Sequence, residues 1–181
     1  MVMEAGTHSP WVSRVLENLG HQVIVANARR VRLIYESDCK NDKLDARMLA
    51  RLGRLDMSLL CPIRHRSAEA QADLVIVRSR NALVAARTQL VNSVRGMVKA
   101  AGGRLAKSTT AAFAQNALPQ VPKALQAAVA PLLKSIRALM EQIQSYDLQI
   151  EQLAEKKYPE TRLLRQVKGI GPLVVVLSRR K

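Results

Sequence analysis

Residues 125–153 read LQAAVAPLLKSIRALMEQIQSYDLQIEQL, and apolar side chains recur along this stretch at alternating spacings of four and three. This is the heptad pattern of a helix that buries one apolar stripe against another helix. Pro131 interrupts the pattern, so we expect the helix to begin or to kink there. The stripe consists of Leu125, Val129, Leu132, Ile136, Leu139, Ile143, Tyr146, Ile150 and Leu153.

A second long helix is predicted over residues 67–101, with Gly102-Gly103 at its end. Residues 104–122 then form a connector that contains a short helix near Thr109–Leu118. Two long helices joined in this way favour an antiparallel helical hairpin, or coiled coil, within one chain. The heptads leave open the alternative that residues 125–153 pair two chains as a homo-oligomer. The apolar stripe of the second helix contains Leu74, Val77, Val84, Val91 and Val98, widened by Leu83, Leu90 and Met97.

Residues 1–60 predict a mixed α/β arrangement. Glu4 lies at the end of a candidate strand, and the β-branched run His21–Asn27 is a second one. Between them we predict a helix with Ser9 as its N-cap, Pro10 at its first position and Gly20 after its end. A further helix is expected near Asp42–Leu55. The apolar stripe of the first helix is formed by Trp11, Val15 and Leu19.

The charge of the chain indicates a polyanionic partner. Its 29 Lys and Arg residues exceed its 14 Asp and Glu residues by 15, and residues 74–140 contain no Asp or Glu. A basic stretch without acids is typical of contact with nucleic-acid phosphates, although a solvated basic surface is the alternative. The cations of this stretch are Arg78, Arg80, Arg87, Arg95, Lys99, Arg104, Lys107, Lys123, Lys134 and Arg137.

Other classes of protein are disfavoured. The sequence has no run of about 18 apolar residues, so no membrane span is predicted. The first ten residues, MVMEAGTHSP, lack the basic start and apolar core of a secretory signal. Cys39 and Cys61 have no metal-ligand spacing and indicate reduced thiols in a cytoplasmic protein. His8, His21 and His65 also lack metal-ligand spacing, and we interpret them as structural or surface residues.

Three carboxylates are candidates for chemistry. Asp42 and Asp45 are three residues apart at the start of a predicted helix, which places both on one face. Glu4 lies at a strand end, a usual location for a site in an α/β sheet. Carboxylates of this kind can hold Mg²⁺, which prefers oxygen ligands. The alternative for the two aspartates is capping and compensation of the helix dipole.

Residues 163–172, LLRQVKGIGP, predict a helix, a tight turn and the start of another helix. This is the helix-hairpin-helix pattern, in which glycines allow a phosphate to approach the backbone and the next helix offers free N–H groups. Lys168, Gly169 and Gly171 are therefore candidate nucleic-acid contacts. A plain corner between two helices is the alternative.

Four sequence strings in this order resemble the DEDD transposases of bacterial insertion sequences, the insertion-sequence one-ten family. They are EAGTHS at residues 4–9, VIVAN at 23–27, KNDKLDA at 40–46 and QVKGIGP at 166–172. The similarity extends from residue 1 to about residue 177, with the basic helices between the third and fourth strings.

The resemblance implies an α/β plus α architecture in three parts. Residues 1–62 would form a partial RuvC-like domain of the RNase H fold, with four acidic residues that bind Mg²⁺ in the complete family domain. Residues 63–158 would be the helical coiled-coil insertion, and residues 159–181 the truncated start of the C-terminal transposase domain. By motif position, Glu4 corresponds to the second acidic residue, and Asp42 and Asp45 to the third and fourth.

The resemblance also implies a recombinase that acts on DNA, in some members guided by a structured RNA, with a serine nucleophile in the C-terminal domain. The residues expected to bind nucleic acid are Arg78, Arg80, Arg87, Arg95, Lys99, Arg104, Lys168, Gly169 and Gly171.

The sequence departs from the family pattern at both ends. Met1 lies three residues before Glu4, so the strand with the first acidic residue is missing. Ser178 near the other end does not match the position of the serine nucleophile. We therefore expect a transposase fragment that binds DNA and is inactive alone. The alternatives are a non-catalytic, basic nucleic-acid-binding protein and an oligomerisation module.

We predict that the purified chain catalyses no strand transfer between a donor and a target DNA, because an acidic ligand and the nucleophile are missing. The measurement is a recombination assay with Mg²⁺ and both DNA partners. Formation of recombinant product by the chain alone would contradict the prediction.

Overall fold

A computed structural model describes residues 1–34, 41–159, 162–169 and 171–172. The chain divides into two compact units, the first comprising Met1–Ser67 and the second beginning at Ala68. Among the described residues, the first unit combines a small sheet with three α-helices and a short 3-10 helix (Met57–Leu60), and the second unit is helical. This agrees with the predicted combination of α/β and α structure, while the RuvC-like fold and the coiled coil remain predictions.

The first unit is organised around a parallel strand pair. Strand β1 (Val2–Glu4) pairs with β2 (Ile24–Ala26) in the register Val2 to Ile24 and Glu4 to Ala26. Parallel strands need a crossover connection, and helix α1 (Ser9–Asn18) supplies it. The two predicted strands are thus present, and Glu4 is the last residue of β1.

Helix α1 differs from the sequence-based expectation in two ways. Its N-cap is His8, whereas the Ser9 hydroxyl donates to the Gly6 carbonyl at 2.8 Å and accepts from the Gly6 N–H at 3.0 Å. Ser9 and Ser13 are its buried residues. The predicted apolar stripe instead faces outward, with Trp11 65% exposed. The prediction was wrong because small hydroxyl side chains allow this helix to pack closely on its other face.

Two further helices complete the first unit. Helix α2 (Ala28–Ile34), which the sequence pattern did not predict, follows Asn27, whose side chain accepts from the Arg29 N–H at 3.1 Å. Helix α3 (Asp42–Leu55) agrees with its predicted range. Gly53 allows α3 to lie directly on β1, since a Cβ atom there would lie 2.8 Å from Val2 Cγ2. The buried core of the unit consists of Ala26, Val31, Leu52 and Leu60.

The second unit is built on two long helices, α4 (Ala68–Ala100) and α6 (Lys123–Lys157). Contacts between them pair the start of one helix with the end of the other. Arg80 reaches Asp147, and Val98 packs in one cluster with Val129. The helices are therefore antiparallel within one chain, which is the first of the two arrangements that the heptads allowed.

The heptad residues of α6 form the seam against α4. Every seventh residue from Val129 to Ile150 is almost fully buried, with Ile136 0% and Ile150 1% exposed. Val77 and Val98 of α4 are also 0% exposed, as their predicted stripe requires. Met97, predicted to widen that stripe, is 48% exposed, because Val94 occupies the buried position one turn before Val98 instead.

At one end of the pair, α5 (Thr110–Ala117) closes the connector over a local core. Phe113 of α5 is 2% exposed and packs with Val94, Val98 and Val129. We call this end, from Val94 of α4 through α5 to the first turns of α6, the hairpin tip.

Pro131 does not start α6, which begins eight residues earlier, at Lys123. A proline inside a helix costs about 3 kcal/mol. The apolar residues on both sides of it, Val129 and Leu133, are buried in the tip core and offset that cost. Of the two predicted alternatives, a helix start at Pro131 was therefore wrong, and a kink there stays a prediction.

The opposite end of the pair is held by charged and hydroxyl groups, which we call the clasp. Lys157 Nζ lies 2.6 Å from Asp73 Oδ2 and 2.7 Å from Glu69 Oε1. The Tyr158 hydroxyl donates to the same oxygen of Asp73. Hydrogen bonds to Asp73 and Glu69 raise the pKa of Lys157 above its ordinary value. Because Asp73 is buried, these partners satisfy a carboxylate that would otherwise be costly.

Helix α7 (Arg162–Arg165) follows the clasp, and Gly169 adopts a positive φ of 94° in the turn after it. The second helix of the predicted helix-hairpin-helix falls mainly on residues 173–181, outside the described residues. Within the described part of the chain, no helix combines the length and apolarity needed to cross a membrane.

We predict that Ile136→Ala lowers the free energy of unfolding of the helical unit by about 2–4 kcal/mol, because it leaves a cavity in the seam. Leu148→Ala is the matched control on the same helix, since Leu148 is 66% exposed. The measurement is chemical denaturation followed by circular dichroism. Equal losses for the two variants would contradict the seam as described.

Candidate functional site

Glu4 is presented at the carboxyl end of β1 by a short, fixed loop. The N–H of Ala5 donates to the Ala26 carbonyl at 2.9 Å, which holds the backbone next to Glu4 on β2. The side chain of Ser9, bonded twice to Gly6, closes the turn that follows. Glu4 is exposed, so its carboxylate is available to a ligand at this edge of the strand pair.

Asp42 and Asp45 lie in the first turn of α3, but neither caps the helix. The cap is Asn41, whose side chain accepts from the Lys43 N–H at 3.0 Å. Among the described residues, neither aspartate has a hydrogen-bonded or ionic partner. The capping role that competed with a functional one is therefore taken by Asn41, while compensation of the helix dipole remains compatible with both positions.

Asp45 and Asp42 differ in their surroundings. Asp45 precedes Leu49 and Leu52 by four and seven residues, so it shares the face of α3 that packs on the core of the first unit. It is half-buried, whereas Asp42 is exposed. Of the two, Asp45 is thus better placed to act beside the sheet.

The three carboxylates were predicted to hold a metal together. Oxygen donors of this type suit Mg²⁺. Within residues 1–34, 41–159, 162–169 and 171–172, however, no group of three His, Cys, Asp or Glu side chains could hold a metal ion. The donor chemistry fits the cation, but the described residues do not assemble the predicted set. We therefore derive no reaction step through a metal.

The described histidines and cysteine form no metal-binding group of three with these carboxylates. His8 and His21 are exposed. His65 is half-buried, and burial together with the positive charge of Arg14 lowers its pKa. Cys61 is an exposed free thiol, and Cys39 lies outside the described residues.

Two of the arginines predicted to bind nucleic acid are engaged within the helical unit. Arg80 forms an ion pair with Asp147, with Nε 2.9 Å from Oδ1, across the seam. Arg87 lies half-buried opposite Met140, and its buried Nε has no hydrogen-bond partner among the described residues. Sequence spacing could not separate these side chains from outward ones, because both lie at the border of the apolar stripe.

The other four predicted cations of the helical unit are exposed. Arg78, Arg95, Lys99 and Arg104 take part in none of the ion pairs found among the described residues. Arg95 lies over the Phe113 ring, with 5.3 Å between its guanidinium carbon and the ring centroid. Three of the four, Arg95, Lys99 and Arg104, lie together near the end of α4. They form the concentrated part of the candidate nucleic-acid interface.

The predicted contacts after α7 are less defined. Lys168 and Gly169 are exposed in the turn, and Gly171 is half-buried. Ile170 and residues 173–181 lie outside the described residues.

The structure adds Lys107 to the interface. It lies with Arg95 and Arg104 beside the connector, together with Gln120. The absence of acids from residues 74–140 suggested the region, but the fold of the connector was needed to bring this lysine to α4.

Comparison with known proteins gives consistent matches. A family model described as a transposase, of the DEDD type of the insertion-sequence one-ten family, matches residues 1–102. The chain is 30% identical over 182 residues to a protein of Pseudomonas aeruginosa named as a family 20 transposase, covering 96% of this chain and 52% of the relative. It is 29% identical over 177 residues to a Sinorhizobium fredii protein named as transposase y4pF/y4sB, covering 96% and 45%.

The chain therefore spans about half the length of the curated relatives it matches. No solved structure matches it.

Proposed function

This chain belongs to the DEDD transposase family of bacterial insertion sequences, and we propose that it contributes to DNA transposition by binding DNA through its basic helical unit. The observation that carries the proposal is the run of exposed, unpaired cations in a segment without acids, residues 74–140. Neutralisation of phosphates by Lys and Arg releases counterions and supplies most non-specific affinity for DNA.

The arrangement of the cations supports a nucleic-acid backbone as the ligand. Arg78 lies two to three turns after the start of α4, whereas Arg95 and Lys99 lie in its last two turns. At a rise of about 1.5 Å per residue, Arg78 and Lys99 are about 30 Å apart along the helix. Positive charges spread over such a length suit an extended polyanion better than a small acidic metabolite.

We predict that affinity for a DNA duplex falls steeply with salt, because binding releases condensed counterions. With four exposed cations in contact with phosphates, the slope of log K against log salt concentration is about −4. The measurement is fluorescence anisotropy of a labelled duplex at increasing KCl. An affinity independent of salt would contradict the proposal.

The same exposed cations would also bind a structured guide RNA, which the family resemblance implies for some members. An RNA hairpin of matched length, titrated under identical conditions, distinguishes the two ligands. A non-catalytic role in nucleic-acid binding remains the alternative to a role in recombination, and both share this interface.

We also propose that Glu4, Asp42 and Asp45 are carboxylates of the family's divalent-metal site, with Mg²⁺ as the cation. The support is that Glu4 ends a strand, that Asp45 lies on the core-facing side of α3, and that Asn41 frees both aspartates from capping. The residues of this chain would contribute part of the ligand set.

We expect Asp42→Asn combined with Asp45→Asn to weaken Mn²⁺ binding by about tenfold or more, as loss of metal-site groups generally does. Isothermal titration calorimetry of the folded chain measures this without reference to activity. Glu17→Gln, which removes an exposed carboxylate from α1, is the control. If the double variant bound Mn²⁺ with unchanged affinity, the proposal that the two aspartates are metal ligands would be wrong.

Self-association through residues 125–153 is a weaker candidate role. Ile143 and Ile150 of that stretch are 3% and 1% exposed, because α4 already covers them within the chain. An oligomer built on these side chains would have to displace α4 first.

A further inference from the structure

The hairpin tip contains two adjoining hollows beside the end of α4. Their volumes are about 410 Å³ and 520 Å³. Both are lined by Arg95, Arg104 and Leu105. We call this combined space the tip cleft.

Cations from two separate segments converge on the tip cleft. Arg95 and Lys99 project from the last two turns of α4, and Arg104 and Lys107 from the connector that follows. None of the four has an ion-pair partner among the described residues. Four like charges around one concave space repel each other, and a bound anion would relieve that repulsion.

The connector that carries two of these cations is held tightly against α4. The Gly103 N–H donates to the Val98 carbonyl at 2.9 Å. A Cβ atom at Gly103 would lie 2.8 Å from Val98 Cγ1 and 3.3 Å from Pro122 Cγ, so no larger residue fits without a shift. Leu105, the next residue but one, packs on the tip core. The backbone of Arg104 is thus held on one side by Gly103 and on the other by Leu105.

Gln120 secures the other side of the connector. Its Oε1 accepts from the Ala106 N–H at 2.8 Å, and its Nε2 donates to the Asn116 carbonyl at 2.7 Å. One side chain therefore ties the connector, at the residue before Lys107, to the end of α5.

Arg95 is oriented by an aromatic ring. Its guanidinium lies over Phe113, which is 2% exposed and therefore fixed in the tip core. A cation held over a ring in this way keeps its N–H donors directed outward. The guanidinium fork matches the oxygens of a phosphate and can bind two of them at once.

We propose that the tip cleft is a preorganised phosphate-binding site that grips the backbone of a nucleic acid at a fixed point. The proposal rests on the proposed function and goes beyond it, because a diffuse basic surface would attract DNA without any such point. Because the connector is already ordered, binding there does not incur the cost of fixing a flexible loop. The shared ligand chemistry is a phosphodiester, which DNA and RNA both offer.

The first test compares two pairs of arginines that carry equal charge. Arg95→Gln with Arg104→Gln alters the tip cleft, and Arg78→Gln with Arg137→Gln removes two exposed arginines elsewhere on α4 and α6. We expect the cleft pair to lower affinity about tenfold or more, since charged hydrogen bonds are lost. The control pair should lower it at most about threefold, since a single exposed arginine outside the cleft contributes only a weak, solvent-screened phosphate contact.

The second test adds one negative charge at each of two positions. Gln120→Glu places it in the tip cleft, where the new carboxylate can still accept from the Ala106 N–H but no longer donates to the Asn116 carbonyl. Gln115→Glu places it on α5 outside the cleft. We expect Gln120→Glu alone to weaken nucleic-acid binding strongly. It should also abolish the shifts that inorganic pyrophosphate induces in the amide NMR signals of residues 103–107.

Both tests are run on a DNA duplex and on an RNA hairpin of the same length. A selective loss on one of the two assigns the site to that nucleic acid, and a loss on both assigns it to the phosphodiester alone. If the cleft and control variants lowered the affinity for both ligands equally, while the wild-type chain still bound them, the tip cleft would not be a specific phosphate site. The proposed function would then stay in place. If the wild-type chain bound neither ligand, the proposed function itself would fail.

Discussion

The packing of α6 against α4 is the interaction on which the second unit depends. Val129, Ile136, Ile143 and Ile150, spaced by seven, are at most 3% exposed. Val129 and Ile136 pack in one cluster with Val94 and Val98 of α4, and Ile150 packs in a second cluster with Val77. Helices of this length are stabilised in proteins mainly by burial of an apolar face. The tip core shares Val129 and Ile136 with this seam. The connector and α5 therefore have a surface to pack on only because the two long helices are already paired.

An apolar heptad seam alone does not fix its own register, since a shift by seven residues presents the same pattern. Polar contacts across the seam remove that ambiguity. Arg80 meets Asp147 near the clasp, and Asp73 meets Lys157 and Tyr158 within it. A slip would leave the buried carboxylate of Asp73 without partners, at a cost that the apolar residues could not recover.

Periodicity in the sequence predicted the helices that bury an apolar stripe, because burial is what creates the pattern. The range predicted for α3, its residues Asp42–Leu55, agrees with the structure, and α4 differs from its prediction by one residue at each end. Local rules failed where tertiary packing outweighed them. Pro131 lies inside α6 because its apolar neighbours are buried. Helix α2 is only seven residues long, so its pattern is too short to recognise.

The candidate sites show the same limit. Composition alone located the basic region, but it could not tell that Arg80 and Arg87 are engaged across the seam while Arg78 and Arg95 are exposed. Nor could the spacing of Asp42 and Asp45 reveal that Asn41 takes the capping role. Such distinctions depend on which neighbour a side chain meets, and that is settled by the fold rather than by the position along the helix.

The two ends of the helical pair differ in charge as a consequence of its antiparallel order. Its described acids, among them Glu69, Asp73 and Glu141, lie on the clasp side, since residues 74–140 contain none. Glu141 is the nearest along α6 to Val129, which packs with Val98 at the tip, and twelve residues separate them. At about 1.5 Å per residue this is about 18 Å. The Debye length at physiological salt is about 8 Å, so these acids barely reduce the potential at the tip. A polyanion that approaches this unit is therefore drawn to the tip first, where Arg95 is held over the Phe113 ring and the connector backbone is tied to its neighbours.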